Sequence, residues 1–263
     1  MILAIDVGNS NLALGVYEGE RLVEHWRLST ASQATADDLG IAVRTLMGYN
    51  GLSVELIEAV VYATVVPPLV GPMEEMCRRY LGATPLKVGP GTKTGIDIKY
   101  QNPREVGPDR IANAVAAQHL FGSPSVVVDF GTATTFDVIS AEGHYAGGVI
   151  LPGVGVSSEA LFERAARLPR VDLYRPEKTV GKNTADSIRS GIINGYAGSV
   201  DAIVAKIARE NGSPRRVVAT GGWAGVIAPE CESVHEVDPY LTLEGLRIIY
   251  LRNQMCQRGG AHG

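Results

Sequence analysis

Two runs of this 263-residue chain end an apolar, strand-like stretch on Asp-x-Gly and pass directly into small polar residues. They are Asp6-Val7-Gly8-Asn9-Ser10-Asn11 and Asp129-Phe130-Gly131-Thr132-Ala133-Thr134. Taken alone, each is a β-hairpin whose turn uses Gly, Asn, Ser or Thr. The same residue types also make a phosphate loop. Glycine lets a phosphate approach the backbone, and exposed N–H groups with Asn or Ser side chains donate to its oxygens. An Asp at the strand end, such as Asp6, can hold Mg2+ through water. Unrelated hairpins rarely share this pattern. The repeat therefore favours two phosphate hairpins, one heading each half, that face each other across a cleft and clamp a polyphosphate.

A second constellation is Gly107-Pro108-Asp109-Arg110, which opens a helical pattern. Asp109 could simply cap that helix, with Arg110 on the surface. The same placement allows Asp109 to accept a proton from a substrate hydroxyl and Arg110 to grip a carboxylate or phosphate. Thr220-Gly221-Gly222 ends a strand before a helical turn. It reads either as a plain corner or as a flat backbone surface for adenine. No G-x-x-x-x-G-K-[ST] is present, and no G-x-G-x-x-G follows a strand, so a P-loop and a dinucleotide fold are disfavoured. Gly153-Val154-Gly155 lacks the third glycine and is expected to be a loop.

The elements that must position these residues follow from periodicity. Strands are expected at Ile2–Val7, Leu12–Glu18, Arg21–Ser29, Ala59–Val65 and Leu86–Val88. Helices follow Thr35-Ala36-Asp37-Asp38, which reads as a capping box, and span about 69–81. Residues 89–108, rich in Gly and Pro, read as a functional loop or connection, and a helix starts at Pro108. The second half repeats the plan, with strands Ser125–Phe130, Thr134–Ser140 and His144–Ile150 and helices near 156–167 and 184–210. The latter carries Ile188, Ile192, Tyr196, Val200, Ile203 and Ile207 in one stripe. Strands Arg216–Thr220 and Val234–Val237 and a helix over Thr242–Asn253 close the chain, with Gln257–Gly263 expected to fray. The order β-β-β-α-β-α, twice, predicts an α/β protein of two duplicated domains with mixed sheets, residues 1–116 and 117–263.

Composition sets the class. Apolar residues make up 45% and charged residues 20%, with a net charge of −4. That is an ordinary globular chain, without the basic block that nucleic acid or an anionic membrane would need. No apolar run approaches the roughly 18 residues of a membrane span. Asp6 and the absence of a basic n-region argue against a signal peptide. Cys77, Cys231 and Cys256 are scattered, and His25, His119, His144, His235 and His262 form no metal spacing. A reducing, cytoplasmic setting is expected.

With these residues in view, the sequence resembles the type III pantothenate kinases, within the acetate-kinase, sugar-kinase and actin superfamily of duplicated ribonuclease H-like domains. The marks run through nearly the whole chain. They are Asp6-x-Gly8-Asn9-Ser10-Asn11, Lys93-x-Gly95, Tyr100, Asn102-Pro103, Gly107-x-Asp109-Arg110, Asp129-x-Gly131-Thr132-Ala133, Gly147-Gly148-x-Ile150-x-Pro152-Gly153, Gly181-x-Asn183-Thr184 and Thr220-Gly221-Gly222. Each is weak alone; their order is specific. One departure is Asp37-Asp38, where the family more often has Asp-Glu.

The resemblance implies ATP- and Mg2+-dependent phosphorylation of pantothenate at its primary hydroxyl, the first step of coenzyme A synthesis. It implies that Asp6, Val7, Gly8, Asn9, Ser10, Asn11, Leu12, Ala13 and Thr132 bind ATP. Tyr100, Gly107, Pro108, Asp109, Arg110 and Thr184 would contact pantothenate, with Asp109 as general base. Asp129 would hold a monovalent cation, potassium or ammonium. It further implies a homodimer whose substrate site is completed at the interface, with Thr184 acting from the partner. The rival readings are another small-molecule kinase of the superfamily and a catalytically silent, nucleotide-binding regulator.

Overall fold

The computed structural model describes residues 1–259, with side chains described as far as Met255. The chain divides into two units. The first holds residues 1–95, 101–116 and the chain from Thr242; the second holds 96–100 and 117–241.

The first unit opens with an antiparallel meander of β1 (Ile2–Val7), β2 (Asn11–Glu18) and β3 (Arg21–Ser29). β1 also pairs in parallel with β4 (Ala59–Thr64), and β4 with the short β5 (Leu86–Lys87). The sheet order is β3-β2-β1-β4-β5. β1 and β4 lie inside the sheet and read as nearly unbroken apolar runs, while β3 at the edge alternates with exposed residues. Helix α1 (Ala36–Tyr49) starts where expected. Thr35 accepts from the Asp38 N–H, and Asp38 accepts from the Thr35 N–H. Aspartate thus completes the capping box in place of glutamate. Helices α2 (Val70–Leu81) and α3 (Pro108–Phe121) follow.

The second unit repeats the plan. β6 (Ser125–Phe130), β7 (Ala133–Ile139) and β8 (Tyr145–Pro152) form the meander, and β9 (Arg216–Thr220) and β10 (Glu236–Val237) add in parallel. The order β10-β9-β6-β7-β8 is the first sheet's order read from the other edge. Helices α4 (Val154–Arg164), α5 (Thr184–Asn211) and the short α6 (Ala224–Ile227) complete it. Both sheets are mixed and share one topology, which is the duplicated ribonuclease H-like fold.

Three details differ from the expected elements. First, α4 begins at Val154 with Gly153 as its N-cap, so Gly153 is the start of a helix rather than part of a free loop. Second, the core-facing stripe of α5 matches the expected one only in part. Of the expected residues Ile188, Val200 and Ile207 are buried, whereas Ile192, Tyr196 and Ile203 are only partly so, and Ile193, Ala197 and Val204 are buried in their place. A 28-residue helix presents more than one apolar line, and only the neighbours decide which is covered. Third, the last helix, α7 (Leu241–Gly259), lies after the expected boundary at 116/117 yet groups with the first unit. Thr242 Oγ1 donates to Asn113 Oδ1 and Arg247 Nη1 to the Gly19 carbonyl. At Gly245 an added Cβ would lie 2.0 Å from the Ala112 carbonyl oxygen, so the helix needs glycine to seat on α3. Of the tail expected to fray, 257–259 continue α7. Residues 260–263, including His262, lie outside the described residues.

Candidate active site

The first hairpin turns through residues 8–11, between the last β1–β2 pair, Val7 and Leu12. The Gly8 N–H donates to the Asn11 carbonyl at 3.0 Å. Asn9 and Ser10 are exposed, whereas Val7 and Leu12 are buried in the core. Of residues 6–13, therefore, Val7 and Leu12 offer a ligand only their backbone; their side chains anchor the strands. Asp6 sits one residue before the strand end, in register with Ala13 and Ala63. Sequence reading missed Thr30. Its Oγ1 donates to the Gly8 carbonyl at 2.7 Å and its N–H to the Ser10 carbonyl at 3.0 Å, which fixes the turn from the side. Only the β2–β3 register, with Asn11 opposite Ser29, brings Thr30 there.

The second hairpin is tighter. Phe130 pairs with Thr134, and the Gly131 N–H donates to the Ala133 carbonyl at 3.0 Å. Thr132 is exposed at the tip. Its carbonyl accepts from the Gly153 N–H at 3.1 Å. A Cβ at Gly153 would lie 2.2 Å from that carbonyl oxygen and 2.5 Å from that of Gly131, so glycine is what lets α4 start against the loop. Asp129 closes the group. β9 brings Thr220 into register with it, and Gly221 follows with φ +90°. A Cβ there would lie 2.4 Å from Asp129 Oδ1. The missing side chain of Gly221 is thus the space the Asp129 carboxylate occupies.

Asp109 lies in the first turn of α3 and is half-buried. Its Oδ1 is buried without a hydrogen-bond partner and sits 2.4 Å from where a Gly107 Cβ would be, so Gly107 clears the carboxylate's place. The Gly107 carbonyl accepts from the Ile111 N–H, which starts the helix. Burial raises the Asp109 pKa above the ordinary carboxylate value. The backbone N–H groups of Arg110 and Asp109 and the Arg110 charge pull it back by less. A carboxylate so placed is a better base than an exposed one. Arg110 itself is buried.

Tyr100 belongs to the second unit. Residues 97–99 run beside β8: Tyr145 donates its N–H to the Asp97 carbonyl, and Lys99 donates to the Tyr145 carbonyl, each at 2.9 Å. The Tyr100 ring lies 6.4 Å from that of Tyr145. Thr184 is the first residue of α5 and is exposed, behind the N-cap Asn183, whose side chain accepts from the Asp186 N–H. Gly181 folds against this start, since a Cβ there would lie 2.4 Å from the Ser187 nitrogen. Within the first unit the structure thus gathers the 6–13 hairpin in one sheet and Asp109 with Gly107 and Arg110 at the start of one helix. Within the second it gathers Asp129, Thr132, Gly153 and Gly221 at one strand end, with Tyr100 on β8 and Thr184 at the start of α5.

Among the described residues no three His, Cys, Asp or Glu side chains group as a metal cluster. A carboxylate oxygen beside the Gly221 backbone, as at Asp129, suits a hard, oxygen-loving cation rather than a transition metal.

A family model described as type III pantothenate kinase matches residues 2–206. The type III pantothenate kinase of Moorella thermoacetica is 53% identical over 253 residues, 96% of this chain and 100% of that protein. That of Anaeromyxobacter sp. strain K is 55% identical over 254 residues, 97% of this chain and 100% of that protein. Among solved structures, the activator of 2-hydroxyisocaproyl-CoA dehydratase from Clostridium difficile, with bound ADPNP, superposes with a TM-score of 0.56 at 13% identity, covering 100% of this chain and 98% of that one. Component A of (R)-2-hydroxyglutaryl-CoA dehydratase from Acidaminococcus fermentans gives 0.56 at 14% identity, covering 95% and 96%. These two support the fold alone. The matches across nearly the full length of the curated relatives, together with hairpins and helix starts built as the motifs require, place the chain in the type III pantothenate kinase family.

Proposed function

We propose that the protein transfers the γ-phosphoryl group of ATP to the primary hydroxyl of pantothenate, with Asp109 as general base. The observation that carries this reading is the Asp109 carboxylate, held by Gly107 at a helix start with a buried, unpartnered oxygen and a raised pKa. Residues 6–13 and Thr132 hold the nucleotide. Gly8, Asn9, Ser10 and Asn11 offer amide and side-chain donors to the phosphates. Tyr100, Gly107, Pro108, Arg110 and Thr184 hold pantothenate, with the Arg110 guanidinium suited to an anionic group. Phosphoryl transfer has a loose, charge-spread transition state, so the chain's task is to position the groups and offset charge. Asp109 orients the hydroxyl and takes its proton as the new P–O bond forms and the bond from the γ-phosphorus to the bridging oxygen breaks, the oxygen leaving with ADP.

Asp6 would hold Mg2+, which would supply charge neutralisation on the phosphates. Asp129, its carboxylate seated in the space Gly221 leaves, would hold the monovalent cation. Replacing potassium by sodium is therefore expected to lower the rate of ADP formation; equal rates in the two salts would remove Asp129 from this role.

A homodimer belongs to the same reading. Leu151, Leu161, Ile188, Ile192 and Tyr196 line an open groove beside α5, and Thr184 stands exposed at that helix's first turn. A second copy covering the groove would put Thr184 to use across the interface. No helix of the described residues is long and apolar enough to cross a membrane, in keeping with a cytoplasmic enzyme. The decisive experiment follows ADP release with ATP, Mg2+ and potassium, with and without pantothenate. Release that depends on pantothenate supports the reading. Release that does not, or none at all, overturns the substrate.

A further inference from the structure

Asp137 lies in β7 and is fully buried, and its Oδ1 accepts a 2.9 Å hydrogen bond from the hydroxyl of Tyr145, itself fully buried in β8. A buried carboxylate is expensive unless it is hydrogen-bonded, and an apolar pair of similar volume would serve stability as well or better. The pair therefore calls for a purpose other than holding the sheet together.

Residues 97–99 attach to the backbone of Tyr145. Its N–H donates to Asp97, its carbonyl accepts from Lys99, and Ile98 bridges to it in parallel. Its ring meets the Tyr100 ring at 6.4 Å and 58°, within the range of tilted aromatic pairs. The β7–β8 register slips by one residue here, from Ile139 opposite Tyr145 to Val138 opposite Gly147. Such a bulge re-aims the side chains beside it. Gly147, at φ +121°, lies under the Tyr100 ring; a Cβ there would be 3.6 Å from it. The Tyr100 ring thus rests against the backbone at Gly147 and is tilted against a ring whose hydroxyl Asp137 holds.

We infer that Tyr145, anchored by Asp137, is a positioning residue that sets the place of Tyr100 and so tunes the enzyme's grip on pantothenate. This rests on the reading of Tyr100 as a pantothenate contact. Neither Asp137 nor Tyr145 needs to touch substrate; both act through the Tyr100 ring.

The test is steady-state kinetics of Tyr145→Phe and Asp137→Asn, with Tyr100→Ala as reference. Tyr145→Phe keeps the ring but loses its hydrogen bond to Asp137, and is expected to raise the KM for pantothenate about 2- to 10-fold, the scale of one net hydrogen bond, with kcat and the KM for ATP unchanged. Asp137→Asn keeps an acceptor for the Tyr145 hydroxyl and is expected to fall between Tyr145→Phe and the parent. A purely structural pair would instead lower the melting temperature without separating the two KM values. That result, or an unchanged pantothenate KM in both variants while Tyr100→Ala raises it, overturns the inference and leaves the site reading intact. An unchanged KM in Tyr100→Ala overturns the site reading itself. If Tyr145→Phe does not fold, Asp137→Asn alone decides: a rise confined to the pantothenate KM supports the inference, and parent-like kinetics overturn it.

Discussion

Asp109→Asn is expected to lower kcat by about 10²-fold or more while leaving the protein as stable as the parent, or more so. Asparagine keeps the shape but cannot take the proton of the attacking hydroxyl. The stability half follows from the sign of the pKa shift. Burial raises the pKa of Asp109 above its unfolded value. The folded state therefore disfavours the ionised form, and stability is lost as pH rises from the ordinary carboxylate range through the raised pKa. Above it a neutral amide removes the penalty. The same shift places the acid limb of the kcat/KM profile above the ordinary carboxylate range, and Asp109→Asn should abolish that limb. An ADP-release assay over pH, with a melting curve for each variant, checks all three. Turnover near that of the parent would take the base's role from Asp109.

Gly221→Ala is the second large effect. The position has φ +90°, where an L side chain is strained by about 1–2 kcal/mol. The methyl would also lie 2.4 Å from Asp129 Oδ1 and 2.7 Å from the Phe130 backbone nitrogen and carbon. Backbone in the middle strand of a sheet cannot give way, so the carboxylate must move. A displacement of about 1 Å in a reacting site lowers rates by about 10²-fold. The expected result is a loss of that order in kcat/KM, together with loss of the preference for potassium over sodium. Gly225→Ala is the control. It lies on the following short helix, and an added Cβ meets nothing within 4 Å, so it should behave as the parent. A Gly221→Ala enzyme with normal rates and normal salt preference would show that Asp129 plays no part in turnover.

Much of this was written in local sequence. The strand-like runs and turn residues of the first 29 positions led directly to β1, β2 and β3, because a meander with two-residue and four-residue turns is decided by neighbours in the chain. The capping residue Thr35 and the start of α3 at Pro108 were equally local. The repeated Asp-x-Gly announced the duplication, and the two sheets carry the same strand order. The candidate base and the nucleotide loops could be named because each lies within a few residues of its own turn.

What the chain order could not give was any contact made across the sheets. Thr30 reaches Gly8 only through the β2–β3 register, and Gly153 meets Thr132 only once β8 has returned beside β7. Gly221 read either as a plain strand–helix corner or as part of a nucleotide surface. Its need for glycine comes from Asp129, 92 residues earlier in sequence, brought alongside by parallel pairing of β6 and β9. The face that α5 buries and the unit that α7 joins differ from the expected ones, since both are set by contacts with elements distant in the chain. Sequence therefore determined which groups could do chemistry and which elements carry them. Tertiary structure decided what each group touches, because burial, close approach and register arise only when distant strands pair.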